Sequence, residues 1–276
     1  MGPLEEDRVN TGGHEVAAEG SRFEIRHCHE LADFERCMEL ERAVWGGTER
    51  DLVPSTIFVV ADETGGQVFG AYDHDAALQM VGFTLAMAGY HGERPYLHSH
   101  MTAVLPTYQN QGIGRMLKLF QREDAQRRGI ELVEWTFDPL ELRNAYFNLV
   151  RLGAIVRRFI PNAYGITSSP LHGGLPTDRL MAEWWLSSPR VVAALEKGFA
   201  EAPAAGDEKT VRIEVPGEMA VWKKTNPGRA AEVQGQIREE FQKWLDRGYA
   251  VTSLERKADG GCYLLAPYSD PQGIQR

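Results

Sequence analysis

Apolar and polar positions follow two periods along this chain. Phe23-Glu24-Ile25-Arg26 alternates with period two and predicts a strand. Leu31, Phe34, Met38, Leu40 and Val44 predict a helix that stops near Gly46-Gly47. Ile57 to Ala61, Val68 to Tyr72 and Met80 to Ala86 are short apolar runs, each read as a strand. Tyr96 to Leu105 is a further strand, stopped by Pro106. Met116, Leu117 and Phe120 sit on one face of a helix running to about Arg128. A strand at Leu132 to Phe137, a helix at Asn144 to Leu152 and strands at Ile155 to Ile160 and Leu180 to Leu186 follow.

Beyond residue 188 the pattern continues. Ala202 to Thr210 is read as a linker and Val211 to Val215 as a strand. Asn226 and Pro227 form an N-cap and first-turn pair for a helix carrying Ala230, Val233, Ile237, Phe241, Trp244 and Leu245 on one face, ending at Gly248. Tyr249 to Leu254 and Cys262 to Ala266, joined through Asp259-Gly260, predict a hairpin. The expected division is a disordered polar leader over 1–20, a first domain over 21–188 and a C-terminal α/β extension over 189–276. The extension is expected to pack on the first domain. Covering a sheet edge, making a dimer interface and forming a substrate lid are its open roles.

Composition is that of a soluble globular chain, with no apolar run long enough for a membrane span and no secretory signal pattern. A net charge of −9 argues against nucleic acid as the main partner. Cys28, Cys37 and Cys262 have neither metal spacing nor a pairing framework, which suits a reducing cytoplasm.

The most informative stretch is Ala103-Val104-Leu105-Pro106-Thr107-Tyr108-Gln109-Asn110-Gln111-Gly112-Ile113-Gly114-Arg115. A strand end, a glycine loop and a helix start make an anion site, because free backbone N–H groups and the helix dipole converge there. A P-loop needs Lys and Ser/Thr after its last glycine, where Arg115 and Met116 stand. A dinucleotide loop needs a third glycine, where Leu117 stands. The spacing Gln109-x-x-Gly112-x-Gly114 resembles the pyrophosphate loop of the GNAT acyltransferases. Asn144 to Ala154, with Gly153 after the helix, resembles that family's later helix. The family often carries Tyr where this chain has Leu149, and Asn where it has Leu142.

This resemblance implies a GNAT fold, an α/β (α+β) domain with a mixed, mostly antiparallel sheet flanked by helices, here with an added strand-helix-hairpin. It implies acetyl-CoA or another acyl-CoA as donor, succinyl-CoA included; no metal is expected, because His98 and His100 have no third ligand, no nearby Cys and no His-x-x-x-His spacing. The cofactor would lie along Ala103, Val104 and Leu105, on Gln109 to Arg115, and near Asn144. His98-Ser99-His100-Met101 and Gly174-Leu175-Pro176-Thr177-Asp178-Arg179 are similar to a subgroup of predicted acetyltransferases. Some of its members are encoded beside N-acylamino acid racemases, which implies acyl transfer to amino acids.

Acyl transfer to an amine needs a proton acceptor and a proton for the leaving thiolate. His98 and His100 alternate onto one strand face and titrate near neutrality, so either is a candidate base, alongside a role as paired core histidines. Glu134 and Asp138 are candidate bases on the next strand, and Asp138 is equally an N-cap. Tyr146 is a candidate acid in place of the missing tyrosine, or a half-buried aromatic. Arg143, Asp178 and Arg179 are candidates for binding an amino-acid substrate, with Arg157 and Arg158 nearby. The expected partner is a small-molecule amine rather than a nucleic acid or a membrane, and a homodimer remains open. The rival expectation is a CoA-binding sensor or scaffold without turnover.

Overall fold

Residues 21–46, 52–166, 173–203 and 207–268 are described by a computed structural model. The expected leader lies outside them, as does part of the expected linker. In chain order the elements are β1 (Phe23–His27), α1 (Leu31–Trp45), α2 (Ser55–Glu63), β2 (Gln67–Asp73), β3 (Gln79–His91), β4 (Arg94–Val104) and α3 (Ile113–Arg127). Then come β5 (Leu132–Phe137), α4 (Leu142–Tyr146) with a π-helical turn over Phe147–Arg151, β6 (Ile155–Ile160), β7 (Arg179–Trp185) and α5 (Pro189–Lys197). The rest is β8 (Val211–Pro216), α6 (Met219–Thr225), α7 (Pro227–Leu245), β9 (Tyr249–Lys257) and β10 (Gly260–Pro267).

The strands form one ten-stranded sheet in the order β1-β2-β3-β4-β5-β7-β6-β9-β10-β8. The architecture is the expected mixed, mostly antiparallel GNAT sheet; among the described strands only β4 and β5 pair in parallel. The C-terminal strands continue the sheet, with β9 joining β6 at Val156 opposite Val251.

The run Ile57 to Ala61 is helical rather than a strand. Phe58 and Ala61, three apart, are buried, while Val59 and Val60 face solvent, which is helical periodicity. Five apolar residues are too few for the pattern alone to separate a buried strand from one turn of helix. Two helices were not expected. Ser188 caps α5, accepting from Val191 N at 3.3 Å with Pro189 at the first helical position. α6 is a seven-residue helix with only Met219 and Lys223 buried.

α1 and α2 cover one face of β2 to β4, burying Phe34, Cys37, Leu40 and Phe58 against Phe83, Leu85 and Ala103. α3 covers the other face, with Ile113, Leu117 and Phe120 against Ile25, Phe69 and Val81. The largest core joins β5, β6 and β7 to the extension through Trp184, Phe137, Val233, Ile237, Phe241 and Tyr263. Each such side chain contributes about 1.5–3 kcal/mol by burial. Asn226 caps α7 as expected, its side-chain oxygen accepting from Arg229 N at 3.2 Å.

Candidate active site

β4 and β5 pair over only two positions, Leu97 with Val133 and His98 with Glu134. β4 continues to Val104 and β5 to Phe137, so the strands part immediately beyond His98 and Glu134. The stretch holding Ala103 and Val104 keeps its partner in β3 and offers its other backbone edge to the gap. An extended amide chain can lie along such an edge.

The glycine loop closes the same end. Gly112 is the N-cap of α3 with φ 85°, a backbone that favours glycine. Among the described residues no side chain caps this helix, so the first-turn N–H groups of Ile113, Gly114 and Arg115 face outward. A Cβ built on Gly112 or Gly114 meets nothing within 4 Å. The open space and the uncapped donors fit a pyrophosphate. Asn110 also has positive φ, 65°, and its Oδ1 accepts from Arg143 Nη2 at 2.5 Å, tying α4 to the loop. Gln109 donates to Val104 O at 3.2 Å and Gln111 to Thr107 O at 3.2 Å, so both brace the loop. Arg115 reaches Leu195 O at 3.2 Å. Asn144 lies on the exposed surface of α4.

Polar side chains gather on the sheet face that α1 and α2 leave uncovered. His98 and His100 have ring centroids 6.3 Å apart. His100 is the extra residue of a bulge, since Leu85 pairs with Met101 while Ala86 pairs with Ser99. Loss of water lowers both imidazoles below their ordinary value; for His98 the neighbouring His100 and the charges of Lys118 and Arg158 lower it further, against Glu134. Both rings are therefore neutral acceptors at pH 7. Glu134 is 1% exposed and accepts from His91 Nε2 at 3.0 Å. His91 stacks on Tyr96 at 4.0 Å, and a Cβ on Gly89 would come within 2.7 Å of that tyrosine ring, so a larger residue there would displace the ring from His91. Opposite Glu134 on β7, Glu183 accepts from Arg157 Nε at 2.9 Å and from Trp185 Nε1 at 3.2 Å. Further along, Thr136 Oγ1 and Tyr164 Oη lie 2.8 Å apart, and the Arg179 guanidinium sits 5.4 Å from the Tyr164 ring.

The structure thus brings His98, His100 and Glu134 together, with Thr136, Tyr164 and Arg179 along the same face. It sends other candidates elsewhere. Asp138 Oδ1 accepts from Leu140 N at 2.8 Å, and its other oxygen lies 3.6 Å from Lys223 Nζ, so it holds a turn rather than a substrate proton. Asp178 is buried, accepting from Asn162 N at 3.0 Å and Arg238 Nε at 2.9 Å, so it neither orients Arg179 nor meets a substrate ammonium. Tyr146 packs against the large core with Arg256 5.6 Å from its ring. Arg143 serves the loop and Arg157 serves Glu183. His91 and Tyr96 carry no spacing that singled them out; the β3–β4 register creates their position.

Residues 28–147 match the model of the Acetyltransferase (GNAT) family. The match spans α1 to α4 and β2 to β5, and the mixed sheet flanked by helices is the fold of that family. Among solved structures, the chain is similar to the ribosomal-protein-S18-alanine N-acetyltransferase from Escherichia coli, at 16% identity over 60% of this chain and 95% of that one, TM-score 0.48. It is similar to yncA from Salmonella typhimurium, solved with its cofactor acetyl-CoA, at 18% identity over 67% and 99%, TM-score 0.48. An aminoglycoside acetyltransferase from an uncultured soil metagenomic sample shares 22% identity over 44% and 80%, TM-score 0.38. No curated protein matches the sequence. Among the described residues no helix is long and apolar enough to cross a membrane.

Proposed function

We propose that this chain is an acyl-CoA-dependent N-acyltransferase that acylates the amine of a small molecule, with a free amino acid as the favoured acceptor. The observation that carries the reading is the parting of β4 from β5 directly beyond His98 and Glu134, next to an uncapped helix N-terminus. When bound, acyl-CoA supplies an activated thioester carbonyl. The N–H groups of Ile113, Gly114 and Arg115 would hold its pyrophosphate, and the open edge at Ala103 and Val104 its amide arm.

The chain's own residues then manage the proton. A protonated amine cannot act as a nucleophile, and the neutral His98 and His100 rings accept its proton. Glu134, on the same face as His98, favours the imidazolium that results. Cys28 and Cys37 are buried in the core under α1, and Cys262 is buried on β10. That supports direct transfer in a ternary complex rather than through a cysteine. Arg179 and Arg158 give the acceptor side positive charge, which suits a carboxylate-bearing amine. Acetyl is the simplest donor consistent with the family; a succinyl donor is the alternative arm.

Release of free thiol from acetyl-CoA and succinyl-CoA, measured over a panel of amino acids, polyamines and aminoglycosides, tests the reading. Turnover dependent on one amine class supports it. A second reading, a CoA-binding sensor without turnover, draws on the fully buried Leu149 where the family often places a tyrosine. CoA binding with no thiol release across the panel would favour that second reading.

A further inference from the structure

The β1 end of the sheet, opposite the glycine loop along α3, holds a cluster that acyl transfer does not use. His27 ends β1, His29 follows one residue after Cys28, and Asp62 stands on the last turn of α2. One ligand atom from each lies within 4.8 Å of the other two. His29 Nδ1 is 3.1 Å from Asp62 Oδ2. The His27 and His29 rings meet edge to face at 4.3 Å, and the far side of His27 packs on Phe69 at 4.8 Å. Among the described residues His27 Nε2 is buried without a hydrogen-bond partner, an arrangement that ordinarily destabilises a fold.

We propose that His27, His29 and Asp62 form a binding site for a divalent transition-metal ion of the zinc class. Two imidazoles and one carboxylate, with a fourth position open to water, are a donor set zinc accepts. Bonds of about 2.0–2.2 Å place neighbouring ligand atoms about 3.4 Å apart in a tetrahedron. The His29–Asp62 pair is close to that spacing at 3.1 Å, and the His27 ligand atom lies within 4.8 Å of both. Arg128 is held by Asp124 at 3.1 Å, which tempers its repulsion of a metal ion. The sequence conceals this site because its third ligand is 33 positions from the nearer histidine. A bound ion would staple the end of β1 to α2.

The test uses the full chain without an affinity tag. Zinc, nickel and cobalt ions are titrated by calorimetry, with the cobalt absorption spectrum recorded. The expected result is one equivalent bound, a tetrahedral cobalt spectrum, and a rise in melting temperature with zinc. His29 is exposed and Asp62 half-buried, and His29→Ala and Asp62→Asn each remove one ligand; with folding checked by circular dichroism, each should weaken zinc binding by at least about tenfold, about 1.4 kcal/mol. The His98→Ala/His100→Ala double variant should bind zinc as the parent does. Absence of stoichiometric binding, binding indifferent to His29 and Asp62, or binding lost with His98 and His100 would each overturn the proposal.

Discussion

Lys118 gives the sharpest physical prediction. It lies on α3, fully enclosed, its ammonium 2.8 Å from Ser99 Oγ, 2.9 Å from Gln121 Oε1 and 4.1 Å from the centre of the Trp135 ring. None of those partners is a carboxylate. Burial alone moves its pKa from the ordinary lysine value of 10.5 to about 7. The unfolded chain therefore holds a proton that the folded chain sheds, and stability rises with pH between those two values. The cost of Lys118 to the fold is about 4 kcal/mol at pH 7 and about 2 kcal/mol at pH 9. Lys118→Met keeps the chain length and removes the titration. It also strips Ser99 and Gln121 of a partner, at about 1–3 kcal/mol each, but that loss does not depend on pH. Urea unfolding of both proteins at pH 7 and pH 9 should show the parent gaining about 2 kcal/mol on the variant as pH rises. A difference that stays constant with pH would refute the reasoning. Since the charge of Lys118 helps lower the pKa of His98, the variant should also move the acid limb of the rate profile to higher pH.

Gly114→Asp places a carboxylate in the open space at the α3 N-terminus and should reduce CoA affinity by at least about tenfold in calorimetry, with folding retained; unchanged affinity removes the loop assignment. The rate should fall with decreasing pH on a limb below the usual imidazole value of about 6.5, because the rings lose acceptor capacity on protonation. His98→Ala/His100→Ala should abolish that limb while CoA still binds, and normal turnover by the double variant would move the base to Glu134. Phenylalanine should be a far better acceptor than phenethylamine, and Arg179→Lys should erode the preference because the fork is lost; equal kcat/KM for the pair would exclude a carboxylate grip.

The sheet was readable because its strands carry period-two or continuous apolar runs, and β5 and β8 to β10 fall at or within a few residues of the expected positions. The loop was readable because a strand, a proline, two glycines and an amphipathic helix follow in a fixed local order. What escaped was either too short or non-local. The α2 run fits both periods, and the cap of α5 is the same polar-then-proline signature as at Asn226 but lacks a long apolar stripe behind it. The pairing of His91 with Glu134 depends on strand register, and the capture of Asp178 by Arg238 depends on where α7 docks. No spacing along the chain encodes either distance. The same holds for Asp138, whose partner Lys223 arrives from an unexpected helix.

The continuity of the sheet through β9 sets an order of assembly. The two cores around α1, α2 and α3 draw only on residues 23–120, so they can close while the rest of the chain is still being synthesised. The large core cannot: Phe137, Trp184 and Val156 await Phe241, Val251, Tyr263 and Leu265. β6 is left with an unpaired edge until residue 251 emerges, more than ninety positions after Val156. A nascent chain stalled before that point would carry a finished glycine loop beside an exposed strand edge, the kind of intermediate that recruits chaperones or aggregates.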